Sequence, residues 1–274
     1  MAANPPQGPV VIAGAGDVGG RLAQRLVQAG AEVLALRRSA VSPRPGVRPL
    51  VADLATGQGL DALPREAGAL VFCAAPDQRD EDAYRALYVD GLTRLLDACR
   101  APRVLFTSST AVHGEHRGEW VGEDTPPSPV AFNGRVLLQA ERRLSGVAGA
   151  TVLRFTGLYG PGRESMIRKA ITGEPGTRRW GNRIHVEDAA ASLQHVLGLA
   201  SPAALYLASD DLPALDTEVL AWLREQAGQR PVPVDDAGPV RGKRIRNTRL
   251  RESGWAPRFP DFRAGYGPLL GAGV

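Results

Sequence analysis

A chain of 274 residues with 43% apolar, 23% charged and 5% aromatic residues and a formal net charge of +4 has an ordinary globular composition, long enough to bury a sizeable core as one large α/β domain or two smaller ones. The modest charge and sparse aromatics exclude a basic, aromatic-interleaved nucleic-acid stripe, and no apolar run approaches the ~18 residues of a membrane span. The two cysteines, Cys73 and Cys99, form neither a metal-type spacing nor a disulfide framework, so no metal site is expected and a reducing cytoplasm is.

Residues 1–8 lack a basic stretch and an apolar core, so a loose tail rather than a signal peptide is expected there. The apolar run Val10-Val11-Ile12-Ala13 ends in Gly14-Ala15-Gly16-Asp17-Val18-Gly19 and passes directly into the helix-periodic stretch from Arg21 to Val27. Strand, turn and helix in that order are the context in which Gly-x-Gly-x-x-Gly carries meaning. Gly14 permits a tight turn, Gly16 lets the backbone approach a pyrophosphate, and Gly19 lets helix and strand pack closely. The free N–H groups of the helix start, from Asp17 and Val18 onward, then receive phosphates. The competing reading is a glycine-rich turn with no ligand.

Glu32–Leu36 reads as a second strand. A site that prefers NAD usually carries an acidic residue ~20 positions after the first glycine, to bond the ribose 2′-hydroxyl. Arg37-Arg38-Ser39 stands there instead, and two cations with a hydroxyl suit a 2′-phosphate. NADP is therefore the expected cofactor, with NAD the alternative; two solvated surface arginines are the competing reading. Val47–Leu54 is a third strand ending in Asp53-Leu54, and the apolar run 69–76, through Ala74-Ala75, fits a strand buried on both faces. Asp80–Cys99 has helical periodicity through Tyr84, Leu87, Tyr88 and Leu92, and Arg103–Thr110 is a fifth strand with Ser108-Ser109 at its end.

Strands alternating with helices predict a Rossmann-type, doubly wound parallel sheet. Ligands of such sheets sit beyond the strands' carboxyl ends, which gathers Gly14, Gly16, Asp17, Val18, Gly19, Arg37, Arg38, Asp53, Leu54, Ala74, Ala75 and Ser108 on one cofactor edge. Further on, Glu115–Pro129 reads as a Pro- and Gly-rich loop, about Asn133–Gly146 as a helix, Thr151–Phe155 as a strand and Gly157–Arg163 as turn chemistry. Ile184–Val186 is a brief strand, a helix runs from Glu187-Asp188 to Leu199, Ala204–Ala208 is strand-like, and Asp216 caps a helix toward Gln226. Without repeats or a long linker, residues 1–274 read as one Rossmann domain with a small C-terminal substrate lobe, drawn mainly from about 157–183 and 203–274.

Four segments carry a resemblance. Thr107-Ser108-Ser109-Thr110-Ala111-Val112-His113-Gly114 resembles Ser-Ser-x-x-Val-Tyr-Gly, and 153–163 (Leu-Arg-Phe-Thr-Gly-Leu-Tyr-Gly-Pro-Gly-Arg) resembles Leu-Arg-x-x-Asn-x-Tyr-Gly-Pro-Gly. Ile184-His185-Val186-Glu187-Asp188 resembles Val-His-Val-x-Asp, and 247–257 resembles a closing motif. With these, the chain resembles an extended short-chain dehydrogenase/reductase of the NAD-dependent epimerase/dehydratase group. In that group a serine holds the substrate oxygen near the nicotinamide while a Tyr-x-x-x-Lys pair moves the proton. Ser109 matches the serine, but the tyrosine place holds Asn133 and the lysine place holds Leu137. Tyr88 replaces a structural asparagine, and Ala13 the first glycine of extended members. The combination resembles the atypical branch, which keeps the cofactor site and often loses the active-site set.

The candidates for catalysis are then Ser109, His113, Tyr88 and Arg135. His113 has the ring pKa for proton transfer, Tyr88 a phenol on the helix beside the nicotinamide region, and Arg135 a charge for an anionic substrate or a carbonyl. For His113 and Tyr88 the competing reading is core packing. The arginines near the C-terminus read either as a phosphate contact or as a solvated basic face. The resemblance implies a small-molecule substrate, with nucleotide sugars as the class, and a homodimer through the helices near Asp80–Cys99 and Asn133–Gly146. Two functions stay open: an NADP(H)-dependent oxidoreductase or epimerase-like enzyme with a non-standard acid/base set, and a dinucleotide or nucleotide-sugar sensor that lost turnover.

Overall fold

Apolar strands alternate with amphipathic helices along the first half of the chain, and the computed structural model, which describes residues 7–38, 44–232 and 238–271, turns that pattern into layers. Residues 1–6 of the expected tail and Ser39 of the Arg-Arg-Ser run lie outside the described residues. The chain opens with β1 (Val10–Ala13), α1 (Asp17–Gln28), β2 (Val33–Arg37), β3 (Arg48–Val51) and β4 (Ala69–Phe72). The helix expected over Asp80–Cys99 forms in three pieces: α2 (Glu81–Tyr84), a π-helical stretch Arg85–Gly91 and α3 (Leu92–Ala98). Next come β5 (Val104–Ser109), β6 (Arg117–Val121), α4 (Phe132–Leu144), β7 (Ala150–Phe155), β8 (Gly157–Tyr159) and α5 (Ser165–Ile171). The remainder holds β9 (Arg179–Gly181), β10 (Arg183–His185), α6 (Val186–Gly198), β11 (Leu205–Ala208) and β12 (Ala214–Leu215). It ends with α7 (Asp216–Gln226), β13 (Arg241–Ile245), α8 (Thr248–Glu252) and α9 (Phe262–Gly271).

Two compact units result. The first comprises Met1–His113, Pro127–Arg154 and Ala190–Tyr206, and the second Gly114–Pro126, Phe155–Ala189 and Leu207–Val274. A seven-stranded sheet in the order β11-β7-β5-β4-β1-β2-β3, with its strands β1 to β5 in the first unit, is parallel in register from β3 across to β5. All four residues of β1 and of β4 are buried, as strands covered on both faces must be. Pro49 is tolerated because β3 is the edge strand, where a missing N–H breaks no ladder. The chain passes from β1 to β2 on one side and resumes at β4 on the other. That reversal is the switch point at which such sheets open a crevice. The helices cover one face with Leu92, Leu95, Val136, Leu137 and Ala140 packed against Leu70, Phe72 and Phe106. Burial of each such leucine or phenylalanine contributes ~1.5–3 kcal/mol, so this layer carries the unit's stability.

The second unit has a four-stranded sheet in the order β12-β9-β13-β6 and a parallel pair of β8 with β10. Here the sequence expectation for Glu115–Pro129 is corrected. Its glycines and prolines read as loop, yet Arg117–Val121 forms β6, pairing with β13 through Arg244↔Trp120 and Ile245↔Val121. Likewise Gly157–Tyr159, read as turn, is β8. A second core gathers Tyr159, Ile167, Leu220, Leu223, Phe262 and Tyr266.

Candidate functional site

The three glycines after β1 answer three different demands. Gly14 has φ +95°, which strains any side chain, and a Cβ there would lie 2.4 Å from the backbone of Ala74. At Gly19 a Cβ would lie 2.2 Å from the Gly14 carbonyl and 3.2 Å from Cys73 Cβ, so α1 closes on the turn only without a side chain. Gly16 is the reverse: exposed, with nothing within 4 Å of where a Cβ would be. Helix α1 begins there, and among the described residues its N-cap, Gly16, makes no side-chain capping bond. A helix start facing open space is a receptacle for an anion. Asp17 brings a negative charge to that end, and the Arg21 guanidinium, 2.8 Å from its carboxylate, offsets it. The Gly14 N–H donates to Leu36 at 3.3 Å and the Cys73 N–H to Ala13 at 2.8 Å, which fixes the turn between β2 and the chain leaving β4.

At the end of β2, Arg37 is half-buried and Arg38 exposed. The Arg38 fork donates to both carboxylate oxygens of Asp77, with the Nη2–Oδ1 bond at 2.8 Å. That hydrogen bond, then the charge itself, holds Asp77 below the usual carboxylate range and raises Arg38. Asp53 accepts the Ala55 N–H at 2.8 Å in a tight turn, and Leu54 beside it is buried. Arg94 of α3 fixes this corner by donating to the carbonyls of Leu54 and Ala55 at 3.2 and 2.7 Å. Two charged neighbours escaped sequence reasoning. Asp77 is one; Arg44, whose Nε lies 3.6 Å from where a Gly20 Cβ would be, is the other. Neither belongs to a motif.

The two serines at the end of β5 are used differently. Ser108 is buried and donates to Glu141 Oε1 at 2.6 Å. Arg154 clasps the same carboxylate through Nε at 3.0 Å and Nη2 at 2.6 Å, and its Nη1 lies 2.9 Å from His113 Nε2. A guanidinium only donates, so His113 Nε2 must accept, which leaves the ring neutral with its proton on Nδ1. His113 is therefore engaged by Arg154, which favours the packing reading over proton transfer. Ser109 stands outside this cluster, half-buried, accepting the Ala111 N–H at 3.2 Å.

Two more candidates move. Tyr88 is buried in a ring cluster with Phe72, Tyr84 and Phe106, and burial pushes its phenol far above the usual range. That ring cluster favours the core-packing reading of Tyr88. Arg135 is exposed, donates to the Val130 carbonyl at 2.7 Å and lies ~200° around α4 from Asn133. Asn133 is half-buried and Leu137 sits in the core. Gly134 between them is a residue that sequence reasoning missed. A Cβ there would lie 2.3 Å from the Ala111 carbonyl, so this glycine lets α4 seat against the turn that follows Ser109. The nearby Cys73 thiol, pushed up to about 12 by burial, is inert.

In the second unit the remaining motifs act as scaffold. His185 stacks between Tyr159 and Phe259, with ring centroids 5.3 and 4.1 Å away, and Asp188 accepts the N–H groups of Arg258 and Phe259. Asn247 donates to the Ser209 carbonyl at 2.9 Å and to Asp211 at 2.8 Å. In the C-terminal basic run, Arg244 lies over Trp120 and Trp180 and Arg246 over Trp120, at 4.7, 5.2 and 4.9 Å, while Arg249 pairs with Asp124 and Arg251 with Asp211. Among the described residues no group of three or more His, Cys, Asp or Glu is placed to hold a metal ion. No helix there is long and apolar enough to cross a membrane.

The sheet order, the glycine turn at its switch point and the hydroxyl-bearing end of β5 define a class, the Rossmann-fold proteins of the short-chain dehydrogenase/reductase type. Within it, the chain belongs to the NAD dependent epimerase/dehydratase family, whose model matches residues 10–199. It is 32% identical over 209 residues to protein YeeZ of Escherichia coli K12, which covers 74% of this chain and 75% of that protein. Its structure is similar to that of a Methylobacillus flagellatus protein assigned as an NAD-dependent epimerase/dehydratase, with TM-score 0.85, 38% identity and 97% and 98% of the two chains covered. It is also similar to MoeE5 solved with UDP-glucuronic acid and NAD, with TM-score 0.79, 27% identity and 95% and 97% covered.

Proposed function

We propose that the chain is an NADP(H)-binding oxidoreductase or epimerase-like enzyme acting on a small molecule of the nucleotide-sugar class, without the Tyr-x-x-x-Lys pair. The observation that carries this reading is the contrast within the turn: side chains are excluded at Gly14 and Gly19, while Gly16 faces open space at the start of α1. In this reading the N–H groups of Gly16, Asp17 and Val18 hold the pyrophosphate. Arg37 and Arg38 face the 2′-phosphate, and Asp53, Leu54, Ala74 and Ala75 line the adenosine half. Bound there, the nicotinamide supplies hydride-transfer chemistry.

Ser109 holds the substrate oxygen, because Ser108 is already committed to Glu141 and orders the strand end behind it. With Asn133 and Leu137 in the tyrosine and lysine places, the ~10²–10⁴-fold contribution of a positioned acid or base is absent, and slow turnover is expected. The nucleotide-sugar class is supported by the likeness to MoeE5, which is bound to UDP-glucuronic acid. We carry the homodimer into the same proposal, with light scattering as its check. The second reading, a sensor without turnover, rests on Asn133 and on Leu137, which the core has absorbed.

Calorimetry with NADPH, NADH and UDP-sugars tests the binding reading, and no uptake of either dinucleotide at millimolar concentration overturns it. Hydride transfer to a carbonyl compound that is lost in Ser109→Ala decides for the enzyme over the sensor.

A further inference from the structure

Strands β4 and β2 flank β1 on opposite sides, so their ends stand roughly 10 Å apart across the glycine turn. The chain leaving β4 lies directly on that turn, as the 2.4 Å approach of a Gly14 Cβ to Ala74 records. Three residues further on it presents Asp77, and the paired side chains of Arg38 and Asp77 close the gap. The pair is a charged strap over the turn that the Gly-x-Gly-x-x-Gly motif builds. Both side chains are 63% exposed, so the strap is screened by water and salt and opens readily.

The position that lacks an acidic residue after β2 thus receives one from the other side of the turn. We propose that Asp77 is a cofactor-selectivity residue: it occupies the Arg38 fork and repels a 2′-phosphate, yet leaves a ribose 2′-hydroxyl a charged pair to bond. This rests on the dinucleotide reading given above. The Asp53 carboxylate, which also acts on Arg38, adds to the repulsion. A 2′-phosphate must draw Arg38 away from Asp77 and then remain beside an uncompensated carboxylate. A 2′-hydroxyl needs neither. The arginines after β2 therefore give less NADP(H) preference than their charges promise, and the site accepts both cofactors.

The experiment is calorimetric titration of the full chain and of Asp77→Asn with NADPH and with NADH. The unaltered protein should bind the two within about tenfold of each other, and Asp77→Asn should tighten NADPH by about tenfold, the worth of one charge-assisted contact, with NADH changed by less than about threefold. The gain should shrink as ionic strength rises from about 0.05 to 0.3 M, since both partners are exposed. Arg38→Ala in the Asp77→Asn background should abolish it. Both side chains lie on the surface, so these variants keep the fold. An NADPH:NADH ratio unchanged within twofold in Asp77→Asn overturns the selectivity role alone. If neither NADPH nor NADH binds either protein, the dinucleotide reading falls and this inference with it.

Discussion

Each unit buries an arginine beside carboxyl groups, and the two are completed differently. Arg154, in the first unit, is 4% exposed, and its partners Glu141 and His113 use the guanidinium on both sides, with Ser108 closing the carboxylate. Arg183, in the second, donates to Asp216 at 2.7 Å and to the carbonyls of Gly181 and Ala214. Asp210 nearby is 2% exposed, and neither of its oxygens has a side-chain hydrogen-bond partner among the described residues. Burial, offset only in part by Arg183 and the Leu212 backbone, raises Asp210 well above the usual carboxylate range. The first cluster sets a guanidinium fork directly on a carboxylate; the second holds a carboxyl whose burial is offset only in part. What a buried ionisable group contributes depends on whether its partners are complete, not on the presence of an arginine.

The largest expected effect breaks the first cluster. Arg154→Leu leaves the Glu141 carboxylate buried without its cation and should cost ~3–5 kcal/mol, read as a fall in urea midpoint at constant slope. Because the cluster also braces the strand end bearing Ser109, the hydride transfer we propose should fall with it. A loss below ~1 kcal/mol would mean that Arg154 and Glu141 are far less coupled than their 2.6 Å contact implies.

The same contrast separates what was legible in the sequence from what was not. The glycine turn was legible because Gly14, Gly16 and Gly19 answer backbone demands a few residues apart, and β1 and β4 because burial on both faces leaves unbroken apolar runs. Strand β6 was not, since Trp120 finds its register against Arg244, on a strand far along the chain, while local glycines argue for a loop. The contacts of His113 and Arg38 are not legible in the sequence, because Arg154 stands 41 residues from the first and Asp77 39 from the second, in a loop without pattern. Periodicity reports faces; it does not report which charges meet.

A smaller effect sharpens the second cluster. A carboxyl whose folded pKa lies above its unfolded value, ~3.9, binds its proton more tightly when folded. Its stabilisation is complete below about pH 3.9 and is lost as pH rises toward the folded value, with a slope of ~1.4 kcal/mol per pH unit for one proton. Asp210→Asn, neutral at every pH, should therefore match the parent protein near pH 4 and become progressively more stable than it as pH rises. Urea midpoints of both proteins from pH 4 to pH 8 read this directly. Parallel curves would show that Asp210 is ionised and paired in solution, which would make the two clusters alike.

The smallest effect belongs to a pair that is neither buried nor enclosed. Arg48 and Glu32 lie 3.4 Å apart with side chains 71% and 58% exposed, at the edge of the first unit's sheet. Water screens their attraction, and holding two long side chains in one geometry costs entropy, so exposed pairs of this kind contribute ~0–1 kcal/mol. Arg48→Ala should shift stability by less than ~0.5 kcal/mol, and raising the salt concentration should erase even that. A larger loss would mean that Arg48 acts through its methylene stem against neighbouring apolar surface, and it would persist at high salt where a charge effect fades. The salt series thus separates packing from charge at a site where charge is expected to do almost nothing. Set beside Arg154, it isolates enclosure as the variable that gives an arginine–carboxylate pair its weight.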